Sequence, residues 1–378
     1  MITFCNIPGD GKVINKYLSP VCSFLFLATG GFSTAQATTI IKTAIQLQAI
    51  QSNLAGSYVL GADIDATATS GWNDGLGFLP LGSGSTPFTG LFNGNGHAIK
   101  GLYILSSAAA VGLFGQIGST GVVENVALSG GSVTASSTPI TPVGALAGSN
   151  AGTISNSYAN VALTGGQSVD DPTGGLVGTN NGQIGYSHAT GAVSGADQGG
   201  LVGDNNDSIV NCFASGSVAG GAGGYRASGG LVGGNYGSIQ GSFATGSVAG
   251  NFGRIGGLVG FNEMGSVANS YASGSVSGTN GVNVGGLVGE NNGSVQLSYS
   301  TGSVGGSGTY TAGGLIGVSD SSGTVADSYW DTNTSGQTTS AGGSGKNTKQ
   351  LESGLPAGFS TQIWSIVPGT SYPFLPFT

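Results

Sequence analysis

One phrase, glycine-glycine-leucine-valine-glycine, returns through the middle of the chain and limits its fold more than any other feature. It starts at Gly144 (as GALAG), Gly174, Gly199, Gly229, Gly256, Gly285 and Gly313 (as GGLIG), in steps of 30, 25, 30, 27, 29 and 28 residues. Self-similarity at such a period marks a solenoid, in which each unit packs only on its neighbours.

The columns inside the unit repeat as closely as the phrase. Two residues after each closing glycine comes Asn150, Asn180, Asn205, Asn235, Asn262 or Asn291, with Ser319 in the last copy. An aliphatic column follows (Ile154, Ile184, Ile209, Ile239, Val267, Val295, Val325). Next come a small one (Ser157, Ser187, Cys212, Ser242, Ser270, Ser298, Ser328) and an aromatic one (Tyr158, His188, Phe213, Phe243, Tyr271, Tyr299, Tyr329). Each unit therefore carries three short β-compatible runs, GLVG, SIxxSxA and GSV, separated by Asn and Gly that supply turns. A run this short cannot bury its apolar face alone, whereas stacked copies bury Leu on Leu and aromatic on aromatic. Asparagine at a fixed turn is suited to a side-chain amide ladder from coil to coil. Helical periodicity is nearly absent. The expected fold is all-β, a right-handed parallel β-helix (β-solenoid) of about eight or nine coils with N- and C-terminal caps, roughly 40 Å long at ~4.8 Å per coil.

The GGLVG-x-N-x-G-x-I pattern resembles the GLUG motif, a repeat of large secreted and surface proteins of bacteria. These include proteins of the filamentous-haemagglutinin type and a region of some immunoglobulin A-cleaving metallopeptidases. The likeness is strong from Gly144 to Trp330 and weaker through Val111 to Gly115. It implies an adhesin segment on a cell surface. No H-E-x-x-H occurs, so the peptidase activity of some GLUG-bearing proteins does not carry over.

Four segments follow. Residues 1–37 read as a signal peptide or leader: Lys12 and Lys16 precede an apolar run at 21–27, and Ala35-Gln-Ala37 fits a small-x-small cleavage site. Residues 38–110 read as an N-terminal cap with the first atypical coils. Within them 43–54 is the best helix candidate, with Ile45, Leu47, Ile50 and Leu54 on one face. The repeat β-helix spans 111–330. Residues 331–378 read as a C-terminal cap, with Asn347 as a helix N-cap and an aromatic cluster at Trp364, Tyr372 and Phe374.

Composition narrows the function. Of 378 residues 76 are Gly and only 6% are charged, yet 38% are hydrophobic and the period is strong, so order is expected over disorder. With eight Lys and Arg against a net charge of −8, the chain lacks the cations to bind nucleic acid or an anionic membrane face. Cys5 and Cys22 fall in the leader, and Cys212 sits in the serine column as a small stacked residue. His188 belongs to the aromatic column, and His97 follows a turn. Asp63 and Asp65 alternate along a strand, as a calcium site would, but no third acid is near in sequence. Asp170, Asp171, Asp204 and Asp207 lie in turns and form no column. The repeat region offers Arg226 and Arg254 in different inter-unit loops, which is thin support for the clustered charge of a polysaccharide lyase or hydrolase.

No catalytic, cofactor or metal residues are assigned. The remaining function is a binding or structural surface, and the loops that vary between units are where recognition concentrates. Tyr225 and Arg226 are the most ligand-like pair, suited to a sugar ring or an acidic group. The expectation is a non-enzymatic adhesin segment, secreted or on the bacterial cell surface in association with the outer membrane. It would hold host or matrix glycans or proteins, peripherally, with no transmembrane helix. A β-helical polysaccharide-active enzyme and a passive stalk are the alternatives. A free-standing fibre would need several times this length, so the chain reads as one segment of a larger system or a small relative of it.

Overall fold

The computed structural model describes residues 37–136, 141–166, 171–195, 197–220, 227–280, 282–307 and 310–376. The leader reading therefore falls outside the described residues, apart from Ala37. From Thr39 onward the chain winds as a parallel β-solenoid of about eight turns.

One coil shows how the sequence makes the turn. Strand Ala227–Gly229 leads into Val232–Asn235, then Ser238–Gln240, Phe243–Ala244 and Val248–Gly250. Each strand hydrogen-bonds to its counterpart one coil away, so among the described residues the strands assemble into four parallel sheets. Register follows the columns: Asn205, Asn235 and Asn262 are paired partners, as are Ile209, Ile239 and Val267. The coil thus has five short strands rather than the three runs read from sequence. Two causes account for the difference. The residues before the glycine phrase form a strand of their own, and the SIxxSxA run breaks at its fourth residue.

That break is the sharpest local constraint in the coil. Asn125, Asn156, Tyr186, Asn211, Gly241, Asn269, Leu297 and Asp327 occupy it in successive coils, and all have φ between 42° and 58°. A left-handed residue turns the chain through a corner in one step, and Asn or Gly adopts this conformation with least strain. Because the column mixes Asn with Tyr, Leu, Gly and Asp, it does not stand out in the sequence. A second tight corner precedes the Val232 family. A Cβ built on Gly256 would lie 1.9 Å from the Val259 carbonyl oxygen, so only glycine fits there.

Side chains that point inward fill the core in layers. Leu176, Leu201, Leu231, Leu258, Leu287 and Leu315 are buried, as are the Ile154–Val295 column and Ala159, Ala189, Ala214, Ala244 and Ala272. Ser300 replaces the alanine in one coil and satisfies its buried hydroxyl by donating to the Gly314 carbonyl at 2.7 Å. A smaller apolar compartment, with Val218, Val248, Val276 and Val304 against Ile255, Val282 and Val284, fills the far corner.

Two polar rows run inside the repeat coils, from Asn150 to Asn291 and from Ser157 to Ser328. Asn150 Nδ2 donates to Asn180 Oδ1 at 2.8 Å, and the relay continues through Asn205, Asn235, Asn262 and Asn291 at 2.8–2.9 Å, with every one of these residues fully buried. In the second row each hydroxyl accepts the backbone N–H of the preceding coil. Ser157 N donates to Ser187 Oγ at 3.1 Å, and the pattern persists to Ser298 and Ser328. Cys212 keeps its place there as an acceptor for Ser187 N at 3.4 Å.

The ends differ from the middle. Helix Ala44–Ala49, capped by Thr43, continues as a 3-10 turn over Ile50–Ser52. Leu47 and Ile50 are buried and Leu54 packs against the core, but Ile45 is 73% exposed. The apolar face read from sequence is therefore narrower: the helix is less than two turns long and lays only its 47–50 side on the first coil. At the other end helix Thr348–Glu352 has a capping box between Asn347 and Gln350. The aromatic residues that follow do not close the open end of the stack. They pack along its flank.

Three substitutions test the amide row and the corner. Asn235→Ala leaves Asn205 and Asn262 each short of a buried partner and is expected to destabilise the rod by about 2–4 kcal/mol. The exposed Asn206→Ala should change stability by less than about 0.5 kcal/mol. Both are read from denaturant midpoints. Tyr186 is exposed and held at φ 51°, so Tyr186→Asn should raise stability by about 1 kcal/mol. A lower melting temperature in that variant would contradict the corner as described.

Candidate binding surface

The aromatic column forms one continuous row of stacked rings on the outside of the rod. Its side chains alternate with the buried alanines, so strand pleating turns them outward. Ring centroids from Tyr158 through His188, Phe213, Phe243 and Tyr271 to Tyr299 are 4.4–5.2 Å apart, with interplanar angles of 1–8°. The strand spacing imposes this distance, and it is also the separation at which offset rings attract.

His188 is one of these rings, 4.4 Å from Phe213 and 5.1 Å from Tyr158. Burial holds its pKa below the ordinary histidine value of 6.5. Cys212 is enclosed in the wall behind the row, and burial pushes its thiol up to about 12, which leaves it inert as a nucleophile.

The C-terminal half of the row is covered. Phe359, Trp364, Leu351 and Leu375 pack over Phe243, Tyr299 and Tyr329. Trp364 Nε1 donates to Asn269 Oδ1 at 3.3 Å, Tyr329 OH donates to Ala357 O at 3.1 Å, and Tyr299 OH donates to Pro373 O. Buried Asp331 anchors this clasp, accepting from Thr348 Oγ1 at 2.7 Å and from Tyr372 OH at 2.6 Å. The N-terminal half, with Tyr158, His188 and Phe213, is only half-buried.

Beyond Tyr158 the row stops and a recess begins. Register pairs Tyr158 with Ala127 and Ala127 with Ala98, and the strand beside Ala98 brings Asp63 into line. Two alanines thus stand where rings would continue. The groove above them has a volume of about 660 Å³ and a rim made by Asn93, Asn95, Asn125 and Asn156. Asn125 Nδ2 donates to Asn93 Oδ1 at 3.3 Å, and Asn93 Nδ2 donates to Glu124 at 2.6 Å. At the far wall Asp63 accepts from Lys100 Nζ at 2.6 Å and from Ala98 N at 3.1 Å, and its other close neighbour is His97 Nδ1 at 3.3 Å. The Lys100 ammonium above all holds the exposed Asp63 carboxyl down at about 2.

The other residues singled out from sequence are dispersed. Asp65 accepts from Thr67 N and Oγ1 in a local turn, so the Asp63–Asp65 pair does not converge on one point. Among the described residues no group of three His, Cys, Asp or Glu side chains could hold a metal ion. Asp204 lies in strand Val202–Asn205 rather than in a turn. Asp171 is buried and accepts from Thr141 N at 2.8 Å, and Asp170 is outside the described residues. Arg254 binds Glu290 at 2.9 Å and lies over the Phe261 ring at 4.1 Å. Tyr225 and Arg226 fall outside the described residues. The recess was missed in the sequence because its coils lack the glycine phrase. Aligning Asn125-Val126-Ala127 with Asn156-Ser157-Tyr158 would have located it.

Fold and surface together define a parallel β-solenoid with a stacked-ring flank. The family described as the GLUG motif matches residues 224–249 and 253–277, which confirms the repeat. Over 148 residues, 37% of this chain, the sequence is 40% identical to halomucin of Haloquadratum walsbyi. Over 130 residues, 34% of the chain, it is 38% identical to a protein of Evansella cellulosilytica named "Putative Gly-rich membrane protein". The chain spans only 2% and 15% of the lengths of these two relatives. A solved structure titled "IgA1 Protease" superposes on 76% of this chain and 21% of its own, with a TM-score of 0.50 at 19% identity, a likeness of fold alone. Among the described residues no helix is long and apolar enough to cross a membrane.

The stacked histidine gives the rod a pH signature. As pH falls through 6.5 the unfolded chain takes up the His188 proton first, so the folded state loses stability below that value and is fully stable above it. His188→Phe should flatten this part of the profile between about pH 7.5 and 5. Melting temperatures of the two proteins should diverge as pH falls, and parallel curves would refute the assignment.

Proposed function

We propose that the chain is a non-enzymatic, surface-exposed segment of an attachment protein of the filamentous-haemagglutinin type, secreted or held at the bacterial outer membrane. It binds host or matrix glycans or proteins along the side of the rod. The observation that carries this reading is the uneven cover of the ring row. From Phe243 onward the chain's own C-terminal residues pack against it, Phe213 lies at the margin of that cover, and Tyr158 and His188 stay half-exposed, with Tyr158 beside a polar recess. A flat aromatic surface with hydrogen-bonding groups alongside is suited to binding a partner from the side.

The corner between strands such as Val218–Gly220 and Ala227–Gly229 supports the same reading. The gap varies from one residue between Gly195 and Asp197 to seven between Thr164 and Pro172, while the strands that flank it stay stacked in the same two sheets. Variable loops on a rigid support are a common arrangement for recognition, and Tyr225 and Arg226 belong to the six-residue connection after Gly220 in sequence. The names of two relatives, halomucin and a "Putative Gly-rich membrane protein", agree with a place at the cell surface.

The test presents the purified full chain to arrayed glycans and matrix proteins, and assays the same wells for released sugars or peptides. Saturable binding without product is expected. Tyr225→Ala or Arg226→Ala should weaken it severalfold where the loop edge takes part. Product release would replace the attachment reading with an enzymatic one, and absence of binding to every surface would leave a passive stalk.

A further inference from the structure

We propose that the recess at the N-terminal end of the ring row is a subsite for one neutral hexopyranose of a glycan chain, stacked on Tyr158 and hydrogen-bonded by the corner asparagines. The inference rests on the attachment reading above and narrows it to one place and one ligand class.

The geometry of the row carries the argument. Every ring from His188 to Tyr271 has a parallel neighbour on both sides at 4.4–5.2 Å. Tyr158 has one on the His188 side only, because Ala127 and Ala98 hold the next two positions. One aromatic face is thus presented to a gap two coils long, roughly 10 Å at the strand spacing. The volume of about 660 Å³ lies within the ~300–1,000 Å³ range of small-molecule sites.

The chemistry of the walls selects the ligand. The electron-rich face of a tyrosine attracts the positively polarised C–H groups on one side of a pyranose ring. Primary amides both donate and accept, which matches a ring carrying hydroxyls around its edge. Asn156 is exposed at the rim, beside Tyr158, and its amide makes no hydrogen bond among the described residues. The cation at the far wall, Lys100, is already paired with Asp63 at 2.6 Å, so the recess offers no spare positive charge for a phosphate or a uronate. An aromatic ring without polar edge groups would use the ring face and leave the amide rim idle. A neutral sugar uses both.

The same flank also shows the kind of contact it accepts. At its other end Phe359 and Trp364 lie against Tyr299 with centroids 6.4 and 5.7 Å away, so the chain fills that half itself.

The experiment titrates the full chain with maltotriose, cellotriose, mannotriose and chitotriose by calorimetry, and locates contacts by saturation-transfer NMR. Wild type is expected to bind at least one of them, with transfer strongest to ring C–H protons. Ala127→Tyr places the missing ring in the gap. It should keep or raise the melting temperature while weakening trisaccharide binding about tenfold or more. Tyr158→Phe should bind as wild type does, and Asn156→Gly, which keeps the left-handed corner as Gly241 does and removes only the exposed amide, should weaken binding severalfold. Wild type that binds none of the four sugars overturns the subsite. So does an Ala127→Tyr variant, or an Asn156→Gly variant should the former fail to fold, that binds as tightly as wild type. Retained attachment to glycan or matrix surfaces in either case leaves the broader reading intact and moves the site elsewhere, whereas loss of all surface binding by wild type removes both.

Discussion

A buried amide can be tolerated in this rod only because the next coil supplies its partner. Asn180, Asn205 and Asn235 are fully enclosed, and each side-chain donor has a neighbouring Asn oxygen at 2.8–2.9 Å. A buried polar group without a partner is strongly destabilising, so the coils must stack in the one register that aligns these residues. The leucine and isoleucine layers would tolerate small displacements, since aliphatic contact is not directional. The amides would not. The apolar columns thus supply most of the driving force, and the amide and hydroxyl rows determine where each coil rests.

Alignment in the core then dictates what appears outside. Once Asn235 sits over Asn205, Phe243 must sit beside Phe213, and the rings meet at the strand spacing whether or not they are covered. The chain uses this row in two ways. Its C-terminal segment closes over one half through Trp364, Phe359 and the Asp331 anchor, and the other half ends at Tyr158 above two alanines. The candidate surface is therefore a by-product of core registry, left open where the atypical first coils carry no ring.

What could be read from the sequence depended on repetition. The Asn, Ile, Ser and aromatic columns repeat in identity, so stacking and the number of coils were visible in the letters. The left-handed corner repeats only in geometry: Tyr186 and Leu297 adopt it under the pull of their coil, against their own preference, and no propensity argument finds them. Ile45 shows the same limit at the cap, where a helix under two turns long follows the shape of the coil beneath it rather than its own pattern. The recess was out of reach for a third reason. It is made by small residues in coils without the glycine phrase, so its signal is a missing ring, which a search for likeness passes over. Tyr225 and Arg226 were chosen for side-chain chemistry alone, with no column to fix their position.

The amide row also makes the rod divisible. Each asparagine gives to the next coil what it receives from the previous one, so interior rungs are interchangeable. Excision of one whole period, for instance residues 205–234, would leave Asn180 facing Asn235 with the same layers above and below. Duplication would do the reverse. Length can therefore change in steps of ~4.8 Å while core, corner and ring row remain as they were. The number of coils then sets how far the rod extends, independently of which side chains its outer face carries.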